Sequence, residues 1–422
     1  MKFFLPALFA LFLAVFSLAR AQEDGQLSAP QDEIITDFGI EEYLATPKYT
    51  LSLGFRTLSG AKTGFSGRGY ISSFQPTSDI TSTNIVHIYH DGNVLANTDP
   101  YSFTITHGDG TTTTYTAVPT PAGFTNTWSF LDLNQINADG SGNIDMHSYT
   151  ANAVDSGLHQ KNPGMGSGIE LMAARDMGNL GKKLEWKLIF GASLTDIKAR
   201  TTDNVAATIT TITDTYATNL GTQTSLPGTV PYTAPSFRQQ PEVGADGFPI
   251  YDSSGAQIID YVETTVYIGD HPLGRTTAIT QGTVFNSWDL KGAYFTFRLG
   301  PSISYLITDH LRFTVSAGAA LVYAGTSYTV EQSYQPDTAD AVVSNVTDEE
   351  QKFLAGYFVD ATVQYDFSDR TGIYVGGGIQ DTGSYTQTAS INDIYTGSYA
   401  NYKALIDLSK LSGFRMGMTF KF

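Results

Sequence analysis

The last nine residues, Phe414, Arg415, Met416, Gly417, Met418, Thr419, Phe420, Lys421 and Phe422, put an apolar side chain at every even position and a polar, charged or glycine residue at every odd one. A strand sends successive side chains to opposite faces, so a period of two makes one oily face and one wet or small face. The same period runs through 353–367, where Phe353, Ala355, Tyr357, Val359, Ala361, Val363, Tyr365 and Phe367 share a face. It recurs in 311–325, 293–305 and 184–194, in short form at 49–55 and 169–173, and weakly in the glycine-rich stretch 373–379. Pro301 lacks an amide donor, so a bulge is expected in the strand that carries it.

Two architectures produce this alternation. A soluble sandwich turns the oily face to a packed core, whereas a membrane barrel turns it to lipid. The periodic segments run past the ~9–11 residues that a bilayer-crossing strand needs. Aromatic residues gather near their ends (Tyr49, Trp186, Tyr294, Tyr305, Tyr323, Tyr365, Phe367, Phe420, Phe422), as girdles at a membrane surface do. The connections alternate in length. Residues 177–183, 306–310 and 367–371 are tight turns, while about 59–165, 201–287, 327–351 and 389–401 are long excursions. Short turns on one side and long loops on the other mark a transmembrane barrel. Beyond the N-terminal segment no uncharged apolar run approaches the length of a membrane helix, so any span is built from strands.

The fold class expected is therefore all-β: an up-and-down antiparallel transmembrane β-barrel of 8–12 strands with long extracellular loops. Both ends belong on the short-turn side, which requires an even number. Eight strands fit best, near 48–58, 166–176, 183–200, 288–305, 309–327, 352–367, 371–388 and 402–422. A hairpin from 126–133 and 143–150 would raise the count to ten.

Residues 1–21 read as a cleaved signal peptide, with Lys2, an apolar run Phe3–Phe16 and the small-residue site Ala19-Arg20-Ala21. Residues 22–47 follow as an acidic leader without Lys or Arg, either a flexible tail or a plug for the lumen, and 48–422 form the barrel. The chain holds 24 Lys+Arg against 41 Asp+Glu, a net charge of −17, which argues against nucleic acid as a partner. It has no cysteine, which excludes disulfides, thiolate metal sites and a lipid-anchored N-terminus.

The wet faces carry charges of both signs: Arg56, Glu170, Glu185, Lys187, Arg298, Arg312, Asp360 and Arg415, with Asp366, Asp407 and Lys421. Unpaired charge in a narrow lumen is costly, so these groups should pair. They form either a salt-bridge network that fills the barrel or the lining of an ion-selecting pore.

Other candidates are weaker. The segment Asn137–Asp145 places oxygen ligands and Gly142 as a calcium loop would, but Ser148 stands where a bidentate Glu is needed, so a glycine-rich turn is the better reading. His87 and His90 fall on opposite faces of a strand and do not share a metal. No nucleophile elbow, zinc-helix, Walker or dinucleotide motif is present, so no catalytic, cofactor or metal residues are assigned and no enzyme activity is expected. The long loops are rich in threonine, with eight in 201–218, which suits strands that extend above the membrane or a surface for recognition.

The signal segment, the up-and-down alternation, the unequal connections and the terminal strand ending on Phe422 resemble Gram-negative outer-membrane β-barrel proteins. That resemblance implies the bacterial outer membrane as location, and the lipid bilayer, lipopolysaccharide and the barrel-assembly machinery as partners. It implies that Phe422 forms part of the assembly signal. The expected role is structural or surface recognition, with an extracellular ligand as a further partner. A porin-like channel for small solutes is the alternative, and an outer-membrane enzyme or a soluble secreted β-protein comes third.

Overall fold

The computed structural model describes residues 48–83, 85–106, 110–337, 339–395 and 397–422. The signal segment 1–21 and the leader 22–47 lie outside the described residues.

Twelve strands form the main sheet: β1 (Tyr49–Leu58), β2 (Lys62–Ser72), β3 (Ile144–Lys161), β4 (Gly166–Gly181), β5 (Leu184–Tyr216), β6 (Gly274–Leu306), β7 (Leu311–Tyr334), β8 (Val342–Asp366), β9 (Thr371–Asp381), β10 (Ser384–Asn392), β11 (Tyr399–Asp407) and β12 (Leu411–Lys421). Eight of them close a ring in the order β1-β4-β5-β6-β7-β8-β9-β12, each antiparallel to its neighbours. Leu53 of β1 stands opposite Leu171 of β4 on one side and Met418 of β12 on the other, which completes the circle. The three tight turns all fall at one end of the ring.

The oily stripes point outward and are not packed. Phe313 and Val315 are 40% and 42% exposed, and Ile169 and Phe353 each 63%. A closed ring with this exterior is the architecture of a transmembrane β-barrel, and it overturns the soluble sandwich, in which these stripes would be buried. The aromatic girdles are visible as cross-strand rows. Phe295, Tyr323 and Phe353 touch in sequence at the upper edge, with ring centroids 6.3 and 4.8 Å apart. Tyr365 and Phe367 pack at the lower edge beside the turns. From Phe295 to Tyr305 the strand advances ten residues, about 33 Å at ~3.3 Å each; a tilt of ~40° reduces this to about 25 Å of height, the thickness of an outer-membrane apolar band. Tyr294, read above as a girdle residue, instead points inward and is buried, because it shares the parity of Thr296 and Arg298.

Above the upper girdle the strands continue and the alternation changes sign. On β5 the inward residues are Glu185, Lys187, Ser193 and Thr195 low in the barrel, then Ile197, Ala199, Val205, Ala207 and Ile209 higher up. The outward residues switch from Leu188 and Leu194 to Asp196, Lys198 and Arg200. β6 passes from Arg298 and Thr296 to Leu290 and Trp288, and β7 from Thr314 and Ser316 to Val322, Ala324, Tyr328 and Val330. Lipid outside demands a polar-inside barrel, whereas water outside demands an apolar core. One strand satisfies both without a register slip.

This upper storey replaces part of the ring. β4, β1, β12 and β9 stop at the boundary, and β3, β2, β11 and β10 take their places, giving the order β8-β7-β6-β5-β3-β2-β11-β10. β10 returns beside β8, where the Gln387 amide donates to the Asp348 carbonyl at 2.8 Å. The 201–216 and 274–287 excursions are thus paired strand, in register from Thr201↔Trp288 to Thr215↔Gly274. The chain leaves the ring at kinks. Gly383, with φ +79°, turns the chain from β9 into β10, and its carbonyl accepts from the Leu408 amide at 2.8 Å where β11 gives way to β12. So the expected single strands 371–388 and 402–422 are each two strands.

Two further expectations fail. Pro301 makes no bulge: Leu188↔Pro301 keeps the register of β5–β6, and β6–β7 resumes at Ser302↔Ser316 in the register of Leu299↔Ala319. The cost is confined to missing pairs at 300 and 301. The hairpin from 126–133 and 143–150 is not a membrane hairpin. Trp128–Phe130 joins a small sheet with Gly92–Val94 and Tyr232–Ala234, while the latter segment belongs to β3 and pairs with β5. That small sheet is part of a cap built from both long excursions, with its own core of Trp128, Phe130, Ile144, Met146, Tyr232 and Ile268.

Candidate functional site: the charged lumen and the cap

Inward parity brings the predicted charges together in two layers. In the middle layer, Arg298 from β6 reaches Asp360 at 2.9 Å and also bonds Glu170. Arg415 from β12 reaches the same Asp360 oxygen at 2.8 Å and Glu170 at 3.2 Å. Arg56 from β1 lies 3.9 Å from Glu170. Glu170 is 1% exposed and Arg298 3%, so this layer is withdrawn from water. Three guanidiniums face two carboxylates, leaving 3 − 2 = +1. The excess is spread over neutral acceptors and rings. Arg56 donates to Ser193 Oγ at 3.0 Å and Gln380 Oε1 at 2.9 Å, Arg298 lies 5.1 Å from the centroid of the Phe358 ring, and Arg415 lies 5.2 Å from that of Tyr374. A cavity beside Arg56, Arg298, Asp360 and Arg415 is about 10 Å³, the size of one water.

The lower layer sits near the turns. Arg312 reaches Glu185 and Asp366, both at 2.9 Å; Lys421 reaches Asp366 at 2.7 Å, and Lys187 lies 3.6 Å from Glu185. Again three cations meet two acids. All eight of the principal predicted charges fall in these two layers, with Asp366 and Lys421. Asp407 does not. It ends β11 in the upper storey and accepts from the Ser409 amide at 2.9 Å, because its strand has already left the ring. Ser193, Gln380, Gln364 and Tyr374 complete the layers and were not singled out from sequence; their parity matches that of the charges, but nothing in a neutral side chain marks it as a partner.

Outside the barrel, polar centres fasten the cap. The buried Asp214 carboxylate accepts from Arg275 Nε at 2.6 Å and Nη2 at 2.7 Å, and from the Tyr89 hydroxyl at 2.5 Å. The Asp214 hydrogen bonds raise the Arg275 guanidinium further, and burial raises the phenols of Tyr89 and Tyr216. Asp91 holds His147 twice, taking the backbone amide at 2.7 Å and the ring Nδ1 at 2.6 Å. His87 packs against Tyr89 and Tyr216, and burial lowers its pKa. His90 instead donates from Nε2 to the Asp340 carbonyl at 2.6 Å. In the calcium-like segment, Asp139 accepts from the Ser141 amide at 2.8 Å and Asp145 from the Thr215 hydroxyl at 2.6 Å, which makes it a turn tied to β5. At the cap's hairpins, Phe103, Tyr115, Phe237 and Tyr261 form one aromatic cluster, with Phe103 and Phe237 4.7 Å apart.

No family model matches the chain, and no curated protein matches it. Among solved structures it is similar to the outer-membrane protease OmpT from Escherichia coli, at 10% identity over 89% of this chain and 97% of that one, with a TM-score of 0.30. A Pseudomonas aeruginosa FadL homologue matches at 10% identity over 89% and 90%, TM-score 0.18. The P. putida toluene transporter TodX matches at 8% over 90% and 91%, TM-score 0.15.

Proposed function

We propose that this chain is a non-catalytic integral β-barrel of the bacterial outer membrane, with a closed lumen and a cap that carries a surface-recognition or structural role. The observation that supports this most is the middle ion-pair layer. An eight-strand ring is just wide enough for side chains to fill, and here three Arg and two carboxylates fill it. The upper storey adds an apolar core above them, with Trp288 and Tyr328 each stacked with Phe65. Recognition then belongs to the cap, where a rigid scaffold holds polar, aromatic-bearing hairpins outward. The bilayer, with lipopolysaccharide outside, is the partner of the apolar band. Phe422, whose amide donates to the Tyr49 carbonyl at 2.9 Å at the closing seam, serves as the signal to the barrel-assembly machinery.

The test is planar-bilayer recording with the purified, folded protein. A closed barrel gives no stepwise conductance. Regular single-channel steps that change with substitution of Arg298 or Arg312 would replace this reading with the porin-like channel.

A further inference from the structure

The wall of the upper storey is split between β3 and β5. Their ladder runs from Tyr216↔Ile144 down to Ala207↔Ala153 and stops. β5 regains a partner on that side at Thr195, opposite Gly168 of β4. Between these points no ladder pair joins 154–161 to 196–206 among the described residues. The cause lies in β3. Its pairing with β2 passes from Gly67↔Asp155 to Phe65↔His159, so the ladder is interrupted over 156–158. A bulge bends its strand and re-aims the side chains beside it. Here the side chain beside it is His159.

The His159 ring closes the split. It stacks on Trp288 of β6, with centroids 4.7 Å apart and planes 23° apart. Its Nδ1 lies 3.0 Å from Asp203 Oδ2 on β5, and its Nε2 lies 2.8 Å from Asp155 Oδ2 on β3. A neutral imidazole carries one N–H, so a carboxylate oxygen against each nitrogen would set one lone pair against another. The imidazolium satisfies both sides. Among the described residues neither acid has a lysine or arginine partner. The Asp155 side chain is 9% exposed and that of Asp203 53%, so the Asp203 contact reaches water and gives protons access to the ring. Phe65, opposite His159 on β2, and Trp288 bring no charge. The phenols of Tyr328 on β7 and Tyr402 on β11 lie within reach of Asp155; burial first, with that charge adding, raises both, so they stay neutral wherever histidine titrates. Lys161 on β3 and Lys198 and Arg200 on β5 stand exposed on the outer face.

We propose that His159 is a proton-operated latch in this wall. Charged, it ties β3 to β5 over Trp288 and keeps the upper core shut. Neutral, it gives up one carboxylate, and the strands part to admit water to Trp288 and to inward Ile197, Ala199 and Val205, all buried in the closed wall. Histidine is the side chain whose charge ordinarily changes between about pH 5 and about pH 8, so the wall is tight in mild acid and loosens as the pH rises. The latch lies above the membrane ring and does not depend on whether the lumen conducts.

The experiment uses the full protein in phosphatidylcholine nanodiscs and follows tryptophan emission and its quenching by acrylamide from about pH 5 to about pH 8.5. Trp288→Phe identifies the share that belongs to Trp288. A charged imidazole stacked on an indole quenches it, so wild type should brighten as the pH rises, and acrylamide access to Trp288 should grow severalfold. His159→Gln, neutral at every pH, should be bright and accessible throughout. Asp203→Asn removes the exposed acid and should move the midpoint of the change to lower pH. The gel mobility shift of the folded barrel verifies each variant, and Asp203→Asn, at a half-exposed position, carries the test if His159→Gln does not fold. Acrylamide access that is equal at both ends of the range in wild type, a change that survives in His159→Gln, or an unmoved midpoint in Asp203→Asn would overturn the proposal. Brightening without added access would mean that the ring titrates in place, and would overturn the opening.

Discussion

Arg298 Nη1 lies 2.9 Å from Asp360 Oδ2, reaching past β7 inside the lumen of an eight-strand ring. The same oxygen accepts Arg415 at 2.8 Å, so one carboxylate holds two guanidiniums. Replacing Asp360 by Asn leaves three arginines facing Glu170 alone. Removing one partner from a buried pair costs about 3–5 kcal/mol, because the stranded charge cannot be rehydrated. Denaturant unfolding of Asp360→Asn in lipid should show a loss of that order. A loss under about 1 kcal/mol would place the pair in a wet, exposed environment.

Trp288 tests the independence of the upper storey. It is fully buried between Phe65 and His159, with ring centroids at 6.2 and 4.7 Å. Trp288→Ala should cost about 3–5 kcal/mol by creating a cavity. The damage should stay above the membrane, because the lower ring is held by its own ladders and ion pairs. Limited proteolysis is expected to open the region around β2, β3 and β11 while the gel mobility shift of the ring persists.

Asp214 and Arg275, opposite each other on β5 and β6, form one tie to the cap, Asp214 accepting from the Tyr89 hydroxyl and Arg275 donating to the Thr77 carbonyl at 2.8 Å. Arg275→Gln removes a charged double hydrogen bond to a carboxylate that has no exposure, at a cost of about 3 kcal/mol. Hydrogen exchange should quicken in Trp128–Phe130 and Tyr232–Ala234 and leave β7 and β8 unchanged. Equal quickening throughout would mean that cap and barrel open as one unit.

Alkaline pH acts on Tyr267. Burial pushes its phenol up to about 12, with the Glu263 carboxylate beside its hydroxyl adding to the shift. The folded cap thus keeps this proton where an unfolded chain, with a phenol pKa near ~10, releases it. Its contribution to stability is complete below about pH 10 and is lost as the pH rises through about 12. Phenolate absorbance during a titration should show one fewer late-titrating tyrosine in Tyr267→Phe than in wild type. The cap's protease resistance in wild type should fall across the same interval.

Much of the barrel was legible because lipid imposes a strict rule on each residue. The outward residues from Phe353 to Phe367 are all apolar, although Leu354 and Phe358 put apolar side chains on the inward face too, and each of the eight expected strands contributes its alternating segment to the ring. The lumen charges were legible for the same reason: Arg298 and Asp360 share the inward parity of their strands. Pairing partners were not, since Glu170 serves three arginines from β1, β6 and β12 and only closure of the ring brings these together. The upper storey was harder to read. Across Thr195 and Asp196 the period of two continues while its meaning reverses, so Ile197 and Val205 look like lipid-facing residues from spacing alone. Threonine-rich 201–218 read equally as strands that continue above the membrane or as a surface for recognition, because threonine is at home in a strand whose outer face meets water. The kinks at Gly383 and at 408–410 were missed because the flanking residues keep alternating through them.

The most direct test asks which side chains meet lipid. The chain has no cysteine, so single cysteines carrying a fluorophore are introduced without a background. Labels at outward Leu299, Val315 and Val363 should be quenched by lipids with brominated acyl chains, while labels at Lys291 and Glu349, outward on the same sheet but above the girdle, should not. Uniform emission at all five positions, with protein that stays in solution without detergent, would contradict the membrane barrel.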